Sequence, residues 1–589
     1  MQDLSLRVGG QAGEGIATVG ETFCRLFTRN GYHAYGHTAY QSVIRAGHVW
    51  FHARGSPDRI WSQGDTIDVL YALDQLTVSV HAQYIRDGGV LIYDPEKFTI
   101  DASSLPKHAT LMAVPTLAIA RKYSTEPLLQ GSVAMGVCTY LMGMPFDTLK
   151  GLLEENFGGK KKEILESNLK AADDGFKFAQ QNSKPLSRAF KPAQGPAKLL
   201  ITGNQAVALG AAVAGCKLLV QYPMTPATAL MHWMAPHATT MKVMVKQAED
   251  EIAAINMAIG ASAGGVRAMT ASSGGGFALM VEAMGLAGMA EVPVVVVIAQ
   301  RSGPSTGLPT KTEQGDLDMI LGAGQGEYPR AVLSPGNVVE AFHQAIEAFE
   351  LAEKWQTPAV IALDFTSAED FQSADIGDFP LDYEPASLFT VPEIPDGTPS
   401  PNFKRYAYTP SGVSPRSIPG QKGLEFVMAS DEHDERGLLI SDVLSGLPKS
   451  VEIRKAMLEK RMRKLSGIIA STKPPKLEGP KDADVTIVAW GSTASPVRDA
   501  LTVLNSEGVK TNFLFLANAY PLHTKEIHEI LTHAKKVLLV EANFSGKIGK
   551  LIRMETGFEI NHKLLKYDGE PFYPHEIVRK VKELAKGGN

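Results

Sequence analysis

Residues 267–300 read RAMTASSGGGFALMVEAMGLAGMAEVPVVVVIAQ. Arg267 to Ala271 and Pro293 to Gln300 are short apolar runs of strand length, and Phe277 to Ala290 between them has the length and composition of a helix. Ser272-Ser273-Gly274-Gly275-Gly276 is the turn that joins the first strand to the helix. The same alternation extends back to Ala197: a helix at Gln205 to Gly215, a strand at Leu218 to Tyr222, a helix after Pro226, a strand at Lys242 to Lys246 and a helix at Asp250 to Ala263. Such a βα series predicts a parallel sheet with helices on both faces.

Outward from this centre, two further α/β blocks are predicted. The first opens with a strand at Leu4 to Val8, the glycine turn Gly9 to Gly15 and a helix to Asn30, followed by strands at His48 to Ala53, Val69 to Leu73 and Val90 to Tyr93. The last opens with a strand at Asp484 to Gly491. The expected fold is α/β with three α/β domains: residues 1–185, a linker at 186–196, residues 197–380, an irregular connector with a basic helix at 381–480, and residues 481–589. A chain of 589 residues has room for that number.

The net charge of −5 gives no positive field for nucleic acid or anionic membranes. Pro293 to Ala299, the longest strongly apolar stretch, is far below the ~18 residues of a membrane span. The start, Met1-Gln2-Asp3-Leu4-Ser5-Leu6-Arg7, has no signal-peptide pattern, so the expectation is a cytoplasmic protein with no nucleic-acid or membrane partner. Cys24, Cys138 and Cys216 are too scattered for a disulfide framework, a zinc knuckle or an iron-sulfur site.

Open parallel sheets bind ligands beyond the carboxyl ends of their strands. Those ends in the middle block carry Tyr222-Pro223-Met224-Thr225-Pro226, Glu249-Asp250-Glu251, the turn at Ser273 and Gly274, and Arg301. Glu251 heads a helix whose same-face residues are Ile255, Ala258 and Ser262, so its carboxylate is expected to be partly desolvated, which suits a group sharing a proton with a ligand nitrogen. From spacing alone, three acids that merely complement the helix dipole are the favoured reading.

Tyr222-Pro-Met-Thr-Pro226, Glu249-Asp-Glu-Ile-Ala253, Ala258-Ile-Gly-Ala-Ser262 and Gln300-Arg-Ser-Gly-Pro-Ser-Thr-Gly-Leu-Pro-Thr310 together resemble the α subunit of 2-oxoacid:ferredoxin oxidoreductases. Gly9 to Gly15 and Ser42-Val-Ile-Arg-Ala-Gly-His48 resemble the γ domain of the same enzymes, fused ahead of α, and the last block resembles a transketolase C-terminal domain. The family's usual turn has a proline within Ser272 to Gly276, which this chain lacks. The resemblance implies a thiamine diphosphate pyrimidine-binding domain at 197–380, with Tyr222, Pro223, Glu251, Ser273 and Gly274 on the cofactor. In that reading Glu251 is catalytic: it bonds the aminopyrimidine ring nitrogen and so promotes deprotonation of the thiazolium carbon, while Thr225 and Arg301 hold the 2-oxoacid carboxylate. Glu249 is the alternative to Glu251 if the helix is offset by two residues.

The chain has neither the diphosphate-binding Gly-Asp-Gly nor a cluster-forming cysteine set. The resemblance therefore implies a β subunit that carries the diphosphate site with Mg2+ and a 4Fe-4S cluster, ferredoxin as acceptor, and a dimer of heterodimers. Oxidative decarboxylation of 2-oxoglutarate to succinyl-CoA is the favoured reaction, with pyruvate or branched-chain 2-oxoacids as alternatives. A non-catalytic coenzyme A or acyl-CoA binding protein is the competing class and predicts an inert Glu251.

The N-terminal turn, Gly10, Gln11, Gly13 and Gly15, lacks the third glycine of a dinucleotide fingerprint. It suits a phosphate of coenzyme A, with Arg45 and His48 nearby in sequence, or a purely structural tight turn. Lys160 to Lys162 and the acidic run Asp431 to Glu435 read as solvated surface, and Glu541-Ala542-Asn543 as a packing or dimer contact.

Overall fold

The computed structural model describes residues 3–41, 47–101, 103, 105–191, 195–386, 403–440 and 448–587. The chain forms two compact units. One comprises Met1–Thr202, Glu369–Asp378 and Tyr573–Glu576, the other Gly203–Ala368, Phe379–Phe572 and Ile577–Asn589.

The first unit is built on an eight-stranded sheet in the order Thr110–Ala113, Ile85–Tyr93, Ile67–Ala72, Leu4–Gln11, His48–Ser56, His33–Ala39, Phe371–Ala374, Leu199–Thr202. The first four strands pair in parallel and the rest antiparallel. His33–Ala39 has no apolar run to announce it, yet it is almost wholly buried. Several of its polar groups are met by the returning segment: Asp370 accepts from Tyr35 Oη at 2.6 Å and lies 2.9 Å from His37 Nδ1, while Ser373 Oγ accepts from the Ala34 N–H at 2.8 Å.

The second unit contains two sheets. The larger has seven strands in the order Asn518–Tyr520, Ala331–Leu333, Pro358–Asp364, Val294–Gln300, Ala268–Ser272, Leu218–Gln221, Met244–Gln247, all parallel except Asn518–Tyr520. Val294–Gln300 and Pro358–Asp364 are buried along their whole length, as continuous apolar central strands of a parallel sheet must be. The second sheet orders Leu477–Glu478, Thr511–Phe515, Val485–Ala489, Val537–Glu541 and His562–Leu565.

Residues 403–440 and the helices Pro448–Met462 and Lys464–Ser471 pack onto this unit through buried charge as well as apolar side chains such as Tyr406, Met457 and Ile468. Glu291, fully buried, receives Lys460 Nζ at 2.6 Å and Lys464 Nζ at 2.5 Å, and its backbone carbonyl accepts from Arg405 at 2.8 Å. Burial raises the Glu291 pKa, but the two ammonium groups and Arg405 outweigh it and hold the carboxyl below its ordinary range. Arg416 pairs with Glu353 at 2.5 Å. The acidic run expected to be solvated is in part bound: Glu432 takes Arg461 at 2.8 Å and Arg454 at 2.5 Å, and His433 is buried against Tyr406 with ring centroids 4.0 Å apart. Basic residues on the later helix Pro448–Met462 neutralise Glu432, a pairing that spacing within the run does not encode.

Candidate active site

Four strand ends of the seven-stranded sheet deliver the polar groups. After Leu218–Gln221, half-buried Tyr222 and Pro223 lead into a turn with a cis Thr225–Pro226 peptide, held by Asn204 Nδ2 donating to Pro226 O at 3.0 Å and Gln221 Nε2 donating to Ala227 O at 2.8 Å. After Met244–Gln247 comes the acidic triplet, and the structure separates its members. Glu249 is exposed; Asp250 is the N-cap, its side chain accepting from the Ala253 N–H at 2.8 Å. Glu251 is 2% exposed and accepts from Ser272 Oγ at 3.2 Å. The helix terminus is thus served by Asp250, and Glu251 is turned under the helix, beside buried Ile255, Ala258 and Ser262.

The third strand end explains the glycines. A Cβ on Gly276 would stand 2.3 Å from Glu251 Oε1 and 2.1 Å from Ser272 Oγ, and one on Gly274 would stand 2.2 Å from Asp316 Oδ2. The first turn of Gly274–Met289 is therefore a bare cradle with a carboxyl on either side. Ser273, its N-cap residue, makes no side-chain capping bond, and its buried Oγ has no partner. Gly276→Ala should push the Glu251 carboxylate aside: we expect the fold to persist by circular dichroism, and the ring ligand that the sequence resemblance implies to bind at least tenfold more weakly by fluorescence titration, about 1.4 kcal/mol.

At the fourth strand end Arg301 Nη1 donates to Thr225 O at 2.8 Å, while its buried Nε has no partner. Burial lowers the Arg301 pKa, opposed by the charge of Asp316. Burial, reinforced by Glu313, pushes the Asp316 carboxyl up to about 6 against Lys547 and Arg301. Asp316 was not among the sequence candidates, because a polar residue just ahead of an apolar helix reads as an ordinary cap.

The loop carrying it is clamped by the last sheet's strand ends. Gln314 N–H donates to Ala542 O at 2.7 Å, its Oε1 accepts from the Ala542 N–H at 2.9 Å, and its Nε2 donates to Trp490 O at 2.7 Å. Asn543 Nδ2 donates to Gln314 O at 3.0 Å. Glu541, whose carboxyl burial raises to about 6, accepts from Trp490 Nε1 at 3.0 Å and the Ile548 N–H at 3.0 Å. Glu541-Ala542-Asn543 thus makes an intrachain contact that fixes this loop.

The N-terminal turn lies in the other unit and is described on its own. Gly13 and Gly15 have φ of 96° and 80°, which glycine alone adopts without strain. The Gln11 N–H, one of the amides a phosphate would use, donates to Glu14 Oε2 at 2.8 Å, and Glu14 pairs with Lys97 at 3.1 Å. Gly10 packs against the same carboxylate. Gly15 and Thr18 line a cavity of about 310 Å3 with Lys160 and Asn168. His48 Nε2 lies 2.9 Å from His81 Nε2, and Arg45 falls outside the described residues. Among the described residues no cluster of His, Cys, Asp and Glu could hold a metal, and no helix is long and apolar enough to cross a membrane.

The strand ends thus bring together a buried carboxylate at Glu251 and a guanidinium at Arg301, and comparison with known proteins identifies the family. Residues 209–451 match the family described as pyruvate flavodoxin/ferredoxin oxidoreductase, thiamine diP-binding, and residues 5–178 match pyruvate ferredoxin/flavodoxin oxidoreductase. The chain is 30% identical to 2-oxoacid:ferredoxin oxidoreductase 2, subunit alpha, of Aeropyrum pernix, over 100% of this chain and 98% of that one. It is 28% identical to 2-oxoglutarate oxidoreductase subunit KorA of Mycobacterium tuberculosis, over 100% and 92%. The structure of the 2-oxoglutarate:ferredoxin oxidoreductase of Magnetococcus marinus, with 2-oxoglutarate, coenzyme A and succinyl-CoA bound, aligns over 100% of both chains with a TM-score of 0.91 and 32% identity. Coverage of the full chain at this identity, on a fold whose strand ends carry a buried glutamate and an arginine, leads to one conclusion: the chain belongs to the 2-oxoacid:ferredoxin oxidoreductase family, as an alpha subunit.

Proposed function

We propose that this subunit forms the pyrimidine-side half of a thiamine diphosphate site that converts 2-oxoglutarate, coenzyme A and oxidised ferredoxin to succinyl-CoA, carbon dioxide and reduced ferredoxin. The observation that carries the reading is Glu251: a carboxylate 2% exposed, pressed against a glycine cradle beside an unpartnered Ser273 hydroxyl. A buried acid at a strand end suits proton exchange with a ring nitrogen. Bound thiamine diphosphate supplies the carbon nucleophile and electron sink that decarboxylation of a 2-oxoacid requires. Within this chain, Glu251 shares the proton at the ring nitrogen, Tyr222, Pro223, Ser273 and Gly274 shape the ring pocket, and Arg301 with Thr225 orients the substrate carboxylate.

The preference for 2-oxoglutarate rests on the KorA relatives and on the Magnetococcus structure, which bears that substrate and succinyl-CoA. Partner chemistry follows from what this sequence lacks: a β subunit holding Mg2+, the diphosphate and a 4Fe-4S cluster, in a cytoplasmic dimer of heterodimers. Exposed apolar residues on the helices that carry the site, Ile252 and Met257 beside Glu251 and Leu279 after Gly276, support a covering partner. Coenzyme A contact at Gly10, Gln11, Gly13 and Gly15 would have to displace Glu14 from the Gln11 amide, which favours the Gly15 side of the turn.

The test is 2-oxoacid-dependent reduction of a viologen dye by the chain coexpressed with its β partner, with coenzyme A added. We expect 2-oxoglutarate to exceed pyruvate and branched-chain 2-oxoacids in kcat/KM, and Arg301→Lys to raise KM for the oxoacid roughly 10- to 100-fold, the worth of one charge-assisted contact at about 1.5–3 kcal/mol. Activity with no 2-oxoacid would overturn the reading and leave a coenzyme A binding protein.

A further inference from the structure

Asp316 stands at the same helix N-terminus as Glu251, on the other side of the glycine cradle, and has no role in the function proposed above. Its Oδ2 is buried without a hydrogen-bond partner and packs where a side chain on Gly274 would begin. It is not loosely placed. Its backbone N–H donates to Gln300 Oε1 at 2.9 Å, Gln300 Nε2 donates to Leu363 O at 3.1 Å, and Gln314 two residues earlier is bonded at both ends of its amide. Two buried donors nearby, Ser273 Oγ and Arg301 Nε, are likewise without partners. A carboxyl oxygen and two donors that are buried at one set of strand ends without partners are groups that a bound ligand would satisfy.

An anion bonded to Arg301 and Ser273 would be repelled by an ionised Asp316 and would accept a hydrogen bond from a protonated one. The charged groups that act on Asp316 are Glu313, which favours the proton, and Arg301 and Lys547, which oppose it. Glu251 lies across the Gly274 to Gly276 turn. Burial and Glu313 already bring the carboxyl up to about 6, and an arriving carboxylate raises it further, towards protonation at neutral pH.

We propose that Asp316 is a third contact to the 2-oxoacid, donating a hydrogen bond to its carboxylate from the protonated acid, so that substrate binding takes up a proton from solvent. No covalent bond is made or broken; the proton remains on Asp316 while substrate is bound. The inference rests on the proposed 2-oxoacid site.

KM for the 2-oxoacid is measured in the holoenzyme with its β partner from about pH 6 to about pH 9, for wild type, Asp316→Asn and Asp316→Ala. Wild-type KM should climb towards tenfold per pH unit at the alkaline end, the limit for one linked proton. Asp316→Asn, which keeps an N–H donor and has no charge, should flatten that climb, and Asp316→Ala should also be flat but weaker at every pH. Calorimetry of the wild-type holoenzyme with a 2-oxoacid analogue that is not decarboxylated, in two buffers of different ionisation enthalpy, reads proton uptake directly and needs no variant to fold. A pH-independent wild-type KM, no proton uptake, or a wild-type slope in Asp316→Asn would overturn the role of Asp316 while leaving the 2-oxoacid site standing. A holoenzyme inactive with every 2-oxoacid would overturn both.

Discussion

Glu251→Gln, assembled with the β partner, should lose about 10^2- to 10^4-fold in kcat for 2-oxoacid-dependent dye reduction, the range for removing a positioned proton-transfer group. The substitution keeps the shape of the side chain and the contact with Ser272 Oγ, so the packing of the helix on the glycine cradle is preserved. What it removes is the acid's capacity to hold or release a proton in a site closed to water. Glu249→Gln, at an exposed position in the same triplet, should stay within about twofold of wild type, since surface changes away from such features are usually small. Comparable losses in both variants would mean that charge at the helix terminus, and not the buried carboxyl, matters.

Glu291→Ala should be the most destabilising single change outside the site, by about 3–5 kcal/mol, because it leaves Lys460 and Lys464 buried with no counter-charge. Burial pulls the Lys460 pKa down to about 7 even with Glu291 beside it. Without the carboxylate, both lysines must shed their protons or expose themselves, and exposure means releasing Pro448–Met462 and Lys464–Ser471. Urea unfolding at neutral pH reads the loss as a lower midpoint. A triple variant, Glu291→Ala with Lys460→Met and Lys464→Met, should recover most of it, since apolar side chains do not demand the missing partner. Because the pKa of Glu291 is lowered by folding, its contribution is complete above the ordinary 4.5 and is lost as pH falls below that value toward the folded one. An Ala variant as stable as wild type would show that water reaches the lysines.

The central sheet was legible in the sequence because its signals are local, whereas Glu251 was singled out by the family resemblance of several motifs and not by its spacing. Val294–Gln300 is an apolar run between turns, and the Glu251 face of its helix repeats small residues at helical spacing. His33–Ala39 was not legible: its composition of histidine, tyrosine, glycine and threonine acquires a buried setting only when Asp370 and Ser373 arrive from far along the chain. Asp316 and Gln314 were hidden for the same reason, since their environment is made by Gly274, Trp490 and Ala542. The acidic run at Asp431 to Glu435 was misread as solvated because its cations lie on a later helix.

The strand Phe371–Ala374 lies between His33–Ala39 and Leu199–Thr202 in the eight-stranded sheet. On the ribosome, His33–Ala39 therefore emerges with one edge open and waits for a piece made about 17 to 66 seconds later at about 5–20 residues per second. During that interval the nascent chain offers unpaired backbone amides and carbonyls to any neighbouring strand, the condition under which sheets pair wrongly or swap between chains. The order of synthesis thus leaves this edge exposed while the chain grows, and slowing translation after Thr202 should reduce its soluble yield.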